Sequence, residues 1–494
     1  MWNVALNGRV RMMGKTLMAV GMLALPLGAQ EYRAVAGEVP MVPREFRGAW
    51  VAAVHNIDWP SRKGLGAAGE QAEMRAILDR VRELRMNAVM VQVRPHCDAL
   101  YSSRHEPWSP WLTGTMGKSP GYDPLEAWLR EAHARGIEVH AWFNPFRALS
   151  NVKHGASRDH VVHQAPQITK RYGSMVWCDP AQPETRQRAM TAIMDVVARY
   201  DIDGVHLDDY FYPYPVKGAG SFPDGKSPAQ RRRYVDGFVR DLYQQVKGRK
   251  AWVRVGISPF GIWRPGVPEG IEAGVDSYEH LAADARLWLR EGWVDYLMPQ
   301  LYWRDAPRKQ SFSALLGWWR EQGKRPVWPG VASSRIKSSE DPGRPASEIV
   351  RQIDLSRKIG RNWAGHCHWS MKALMQDRDG INKALRSRAY PEAALVPPMP
   401  WVNRQVPATP LLRGRAEGGA VAMSWRGAGA SKWAVQACYG GQWKTIAVVP
   451  AATTAVRVGA LGGRLPERVA VSAVDRYGNS GKAAAVGSTS GEAD

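Results

Sequence analysis

The chain has 494 residues, 45% of them hydrophobic, and a formal net charge of +21. This hydrophobic share excludes a disordered polyelectrolyte, and the length exceeds what one ordinary core organises. The positive charge suits polyanionic partners, but no zinc-finger, helix-turn-helix or basic-tail pattern accompanies it, so nucleic acid is not expected as a partner.

Arg9, Arg11 and Lys15 precede an apolar stretch, Thr16–Leu27, with a cleavage point expected after Ala29. This is the pattern of an export signal, too short for a comfortable membrane span. Residues 1–29 are therefore expected to be a signal peptide, and the mature chain periplasmic or secreted. An uncleaved N-terminal anchor is the alternative. No Cys follows the apolar stretch to carry a lipid, and no later stretch is apolar enough to span a bilayer.

Residues 30–43 read as a linker. From residue 44 the pattern alternates short apolar strands with amphipathic helices. The expected strands are Phe46–Val54, Asn87–Val93, Ile137–Phe143, Ile202–Leu207, Ala251–Ser258, Val294–Met298, Pro326–Val331 and Trp363–His368. Helices are expected at Glu70–Leu84, Leu125–Ala134, Glu184–Tyr200, Gln230–Val246, Ala283–Glu291, Phe312–Gln322 and Ala346–Ile359. Eight such units over residues 44–390 predict an α/β fold, a (β/α)8 TIM-like barrel. An open doubly wound sheet is disfavoured because no Gly-rich nucleotide loop follows the first strand. Polar and aromatic residues recur at nearly every strand end, and a barrel gathers those ends on one face. The long connection from Ala148 to Pro183 is expected to help form a site.

A Pro-rich linker over residues 391–410 closes this domain. Short alternating strands over residues 411–487 then predict a C-terminal all-β sandwich, with Trp425 and Trp433 in its core. Its last strand and turn, Val474–Ser480, resemble those of a fibronectin type III domain, and residues 488–494 are expected to be a disordered tail. Cys97, Cys178, Cys367 and Cys438 match no metal spacing. Cys97 and Cys178 both follow strand ends, so either a disulfide or two buried thiols fits them.

The chemistry concentrates where the fourth strand ends, at Asp208 and Asp209, followed by Tyr210, Phe211, Tyr212 and Tyr214. A carboxylate pair beside aromatic rings at a strand's carboxyl end suits glycoside hydrolysis. Two neighbouring carboxylates push one pKa up and supply an acid at neutral pH. Strand-end acids that cap the next helix are the bland alternative.

Six phrases in order carry a family resemblance: Phe46–Val51, Val91–Pro95, His140–Arg147, Asp203–Pro213, Ile257–Arg264 and Pro299–Trp303. On these the chain resembles the bacterial glycosyl-hydrolase-like family 10, over about residues 44–390. The resemblance implies a β-α barrel glycosidase of the cell envelope, often continued by a fibronectin-like module. It also implies peptidoglycan glycan strands, free of stem peptides and N-acetylated, as substrate and partner. Members often carry a lipobox Cys, which this chain lacks.

No retaining carboxylate pair from separate strands is visible, so two schemes stay open. In one the substrate's 2-acetamido group attacks, one Asp orients it, the other protonates the leaving oxygen, and Tyr302 bonds the acetamido oxygen. In the other, one Asp of the pair acts through water with Asp98. Within the pair, Asp208 is read as the acid. Arg94, Asn144, Arg147 and Gln300 are candidates for substrate hydroxyls or a sugar carboxylate. Trp142, Trp263, Trp303 and Tyr210 are candidates for stacking, and His206 for tuning Asp208. No cofactor and no catalytic metal are expected, and a monomer is favoured. A weak or inactive cell-wall glycan-binding protein remains the alternative to an enzyme.

Overall fold

The computed structural model describes residues 31–306 and 308–488. The expected signal peptide (1–29) and nearly all of the expected tail (489–494) lie outside the described residues. The described chain divides into two compact units, residues 44–403, and residues 31–43 with 404–488.

The larger unit is α/β. Eight parallel strands, Phe46–Val51, Ala88–Arg94, Glu138–Phe143, Gly204–Leu207, Arg254–Ile257, Tyr296–Leu297, Gly330–Val331 and Gly365–His368, lie in the order 6-5-4-3-2-1-8-7. Isolated parallel bridges, Leu297 to Val327 and Gln300 to Gly330, link the sixth and seventh strands, so the sheet curls until its edges meet. All eight strands fall within the stretches expected of them, except that the second runs one residue further. The sixth and seventh are only two residues each. Pro299, Pro326 and Pro329 interrupt them, because proline has no N–H for the ladder.

Alternation divides the side chains of this sheet. Val205 and Leu207 face outward and pack under the helices, with Ile193, Val239 and Leu242. The opposite face carries Phe46, Trp50, Met90, Trp142, Tyr296 and Trp328, a second apolar layer inside the curl. Rings this large need space from the neighbouring strand. A Cβ on Gly204 would lie 2.4 Å from the His140 ring, and one on Gly256 would lie 1.9 Å from Tyr296, so both positions require glycine.

The connection after Arg147 is more structured than a loop. It holds an antiparallel three-stranded sheet, Arg147–Leu149, Met175–Cys178 and Thr169–Tyr172, and a short helix, Val161–Gln164. The Pro-rich stretch is likewise not a free linker over its first part. Residues 393–398 run along this unit before a turn at 399–403, and Asn87 and Arg254 donate side-chain hydrogen bonds to the carbonyls of Ala394 and Pro397. Trp401 donates to Asp295 at 2.8 Å.

The C-terminal unit is an antiparallel β-sheet structure of eight strands. Trp425 and Trp433 are buried in its core with ring centroids 6.0 Å apart. Three of its strands differ from the sequence reading, which left Leu411–Glu417 and Ala484–Ser488 unassigned and took Glu31–Ala34 for linker. Glu31–Ala34 pairs with both of the others. Tyr32 anchors it, buried and donating its hydroxyl to the Pro466 carbonyl at 2.5 Å.

Candidate active site

Inward-facing positions continue past the strand ends and build the site. The third and fourth strands pair His140 with Gly204 and Trp142 with His206. The next inward pair is Asn144 and Asp208, and Asn144 Nδ2 donates to Asp208 Oδ2 at 2.6 Å. Gln92, inward on the second strand, donates to Asn144 Oδ1 at 2.8 Å and accepts from the backbone N–H groups of Ala53 and Val54. Trp142 Nε1 lies 3.3 Å from Asp208 Oδ2, and the Tyr210 N–H lies 3.2 Å from Oδ1.

Asp209 would face outward on a continued strand, but the strand ends at Leu207. Its Oδ2 accepts a hydrogen bond from the Tyr214 hydroxyl, and Gln300 favours the ionised form of the same carboxyl group. Gln300 also donates to the Ser258 carbonyl at 3.0 Å. Asp208 and Asp209 are 4% and 2% exposed. Burial raises the pKa of Asp208, while Arg147, Asn144, the Tyr210 N–H and Trp142 pull it back. Burial, then the charge of Asp208, pushes Asp209 up to about 7.

An aromatic arm leads away from the pair. Tyr210 meets Tyr214 at 5.5 Å between ring centroids, Tyr214 meets Phe260 at 6.3 Å, and Phe260 meets Trp303 at 5.7 Å. All four rings are partly exposed. The Arg147 guanidinium caps the Tyr210 ring at 3.8 Å. Tyr302 lies beside this group, its ring stacked on Trp369 at 6.3 Å and its hydroxyl without a hydrogen-bond partner among the described residues. Burial, then Asp209, holds that hydroxyl far above its ordinary pKa, so it is a donor at any working pH.

Of the residues singled out from sequence, the structure gathers Asp208, Asp209, Trp142, Asn144, Arg147, Tyr210, Gln300, Tyr302 and Trp303. Four do not join them in the expected roles. Arg94 is turned into the protein, paired with Glu106 at 2.5 Å and donating to the Asn144 and Pro145 carbonyls, so it holds the third strand's end rather than a substrate. His206 is fully buried in the inner layer, bonded to Trp50, Tyr296 and Ser258, and burial keeps it neutral. Trp263 packs on Trp318 and Tyr278, apart from the carboxylates. Asp98 is fully buried, accepts from the His96 N–H at 2.8 Å, and makes no contact with Asp208 or Asp209 among the described residues. Trp142 is buried, so it orients Asp208 through its N–H and presents no stacking face.

Sequence reasoning missed Gln92, Phe260 and Trp369 as site residues, and had Tyr214 only as one of the aromatic rings that follow the carboxylate pair. Gln92 and Phe260 stood within quoted strand-end phrases, and two-residue alternation from Met90 points to Gln92. Trp369 directly follows the eighth strand and shares the strand-end aromatic pattern.

The Glycosyl hydrolase-like 10 family profile matches residues 45–339. The chain belongs to this family. It is 41% identical over 391 residues to Glycosyl hydrolase YngK of Bacillus subtilis (strain 168), covering 75% of this chain and 76% of that one. It is 33% identical over 354 residues to Glycosyl hydrolase DigH of Escherichia coli (strain K12), covering 64% and 80%. Among solved structures it is similar to the PgaB (BpsB) glycoside hydrolase domain from Bordetella bronchiseptica, at TM-score 0.45 and 14% identity, covering 70% and 98%. Family membership makes this a protein of glycoside-hydrolase type.

Cys97 and Cys178 are buried free thiols with sulfurs 3.7 Å apart. No helix among the described residues is long and apolar enough to cross a membrane.

Proposed function

We propose that the protein hydrolyses glycosidic bonds in peptidoglycan glycan strands of the cell envelope, with Asp209 as the acid and Asp208 as the orienting carboxylate. The curled sheet is read as a (β/α)8 barrel whose strand ends form the cleft. The observation that carries the reading is the unequal setting of two adjacent buried acids. Asp208 faces Arg147 and accepts from Asn144, Trp142 and the Tyr210 N–H. Asp209 has Tyr214 and Gln300, and faces the charge of Asp208. A proton shared by the pair therefore rests on Asp209, the reverse of the roles read from sequence.

Such a pair suits substrate-assisted hydrolysis. Asp208 holds the acetamido N–H of an N-acetylated sugar, so that the acetamido oxygen closes on the anomeric carbon. Tyr302, with its hydroxyl unpartnered, donates to that oxygen. Asp209 gives its proton to the leaving oxygen and then takes one from the attacking water. The scheme through Asp98 loses support, because Asp98 is buried away from the pair. The aromatic arm from Tyr210 to Trp303 offers faces for successive sugar rings.

The peptidoglycan substrate is supported by family membership and by a basic chain suited to an anionic wall polymer. Export through residues 1–29, action as a monomer, and a fibronectin type III-like role for the C-terminal unit belong to the same reading.

The test is incubation of purified protein with intact and peptide-stripped peptidoglycan, products read by mass spectrometry. Muropeptide-free oligosaccharides that vanish with Asp209→Asn are expected. Binding without any product overturns the hydrolase reading in favour of a glycan-binding protein.

A further inference from the structure

The loop after the first strand and the loop after the eighth are joined by Asp58. Its Oδ1 accepts from the Ser370 hydroxyl and from the Lys372 N–H, both at 2.7 Å, and its Oδ2 accepts from the Ala52 N–H at 2.9 Å. Burial pushes this carboxyl up to about 6, although all three donors favour its ionised form. The residues just before the two partners, Ile57 and Trp369, are partly exposed and pack on the inner apolar layer of the sheet. The joint therefore sets what covers that layer at the strand ends.

Trp369 is fixed from a further direction. Its N–H donates to the Val331 carbonyl at 2.8 Å, and its carbonyl accepts from the Ser334 N–H at 2.7 Å. Its ring meets those of Trp50 and Trp142 edge-on, at 6.0 and 6.2 Å between centroids, and lies within 26° of parallel to Tyr302 at 6.3 Å. Two of these neighbours belong to the reacting centre, since Trp142 bonds Asp208 and Tyr302 carries the unpartnered hydroxyl. The indole N–H sets Trp369 apart from the other tryptophans of the layer. Trp50 donates to His206 at 3.1 Å, Trp142 to Asp208 at 3.3 Å, and Trp328 to the Trp363 carbonyl at 3.0 Å. The Trp369 side-chain N–H has no hydrogen-bond partner among the described residues, and the ring is partly exposed. An immobilised ring with an open donor can take a pyranose, whose C–H face stacks on it and whose oxygen accepts the N–H.

We propose that Trp369 is the floor of the subsite at the carboxylate pair, and that Asp58 is the positioning residue that sets it. The sugar whose acetamido group lies between Asp208 and Tyr302 stacks on the Trp369 ring, and the Trp369 N–H donates to an oxygen of that sugar. Asp58 acts on the sugar only through Trp369. The inference rests on the hydrolase reading above and names the residue that carries the reacting ring.

The test uses titration calorimetry on the full chain carrying Asp209→Asn, with a peptide-free tetrasaccharide of alternating N-acetylglucosamine and N-acetylmuramic acid. Trp369→Ala is expected to weaken binding about tenfold or more, and Trp369→Phe, which keeps a ring in the packing but lacks the donor, about threefold. Asp58→Asn is expected to weaken binding about threefold in the parent and to add no loss once Trp369→Ala is present. A purely structural role for Asp58 would add its loss in both backgrounds. Melting curves identify any variant that is unfolded, and Trp369→Phe then supplies the reading in place of Trp369→Ala. Parent-like affinity in the folded Trp369 variants, an Asp58→Asn loss of equal size in both backgrounds, or no binding by the parent overturns the proposal. Turnover by the chain with Asp209 intact is read separately. Binding that depends on Trp369 without turnover keeps the subsite and removes the hydrolase, and turnover with binding indifferent to Trp369 does the reverse.

Discussion

Asn144 donates a 2.6 Å hydrogen bond to Asp208, and its own carbonyl oxygen is held by Gln92 at 2.8 Å. The carboxylate is thus aimed by a relay across three adjacent strands. Asn144→Ala removes the middle of this relay and leaves the Gln92 amide without its acceptor. A turnover loss of about tenfold to a hundredfold is expected, from ~1.5–3 kcal/mol of lost orientation. The kcat on peptide-free glycan, beside thermal unfolding of the variant, checks it.

Asp209 gives a pH signature of defined sign. Its folded-state pKa is raised to about 7, so the folded chain holds this proton more tightly than the unfolded chain. Its contribution to stability is complete below the ordinary carboxyl range and is lost as pH rises through about 7. Activity that needs the protonated acid falls over the same upper limb. Asp209→Asn is expected to abolish turnover and to flatten the fall in urea midpoint between pH 5 and pH 8. A parent-like slope in the variant contradicts the assignment.

Tyr302→Phe separates catalysis from folding. Among the described residues its hydroxyl has no hydrogen-bond partner, so its removal leaves the melting temperature within about 1–2 °C. On N-acetylated substrate, kcat is expected to fall about tenfold or more through the lost oxyanion-side donor. Parallel melting and rate measurements decide it.

Arg94 behaves oppositely. Its side chain is 2% exposed and that of Glu106 11%; Glu106 accepts from Nε and Nη2, and Nη1 donates to the Asn144 and Pro145 carbonyls. Arg94→Met leaves Glu106 and two carbonyls uncompensated, and about 3–5 kcal/mol of unfolding free energy is expected to go with it. Denaturant titration measures this, and a neutral result contradicts the structural role of the pair.

Cys97 and Cys178 stand 3.7 Å apart by sulfur and 81 positions apart in sequence. Mild oxidation is expected to join them, with a mass loss of two hydrogens. The cross-link raises stability by up to about 4 kcal/mol in the chain-entropy account. Thiol labelling before and after oxidation, together with melting of both forms, reads this out.

Much of the α/β unit was legible because its signals are local. Two-residue alternation and helical spacing located every strand of the parallel sheet, and Val205 and Leu207 face the helices as alternation requires. Three central strands of the C-terminal sheet were not legible. Glu31–Ala34 is four residues long and becomes a strand only through partners near residues 411–417 and 484–488. Proline-rich residues 391–403 looked like linker because their hydrogen-bond partners, Asn87 and Arg254, are far away in the chain.

By itself the sequence determined the order of the elements, the carboxylate pair at the end of the fourth strand, and the aromatic residues that follow it. These depend on periodicity and on neighbours within a few positions. Only the tertiary structure decided which acid receives which donors, that Arg94 and His206 face inward, and that Asp58 and Ser370 meet beside Trp369. Such pairings depend on strand register and loop path. Asn144 and Asp208 lie 64 positions apart, and nothing within either local stretch encodes the 2.6 Å between them.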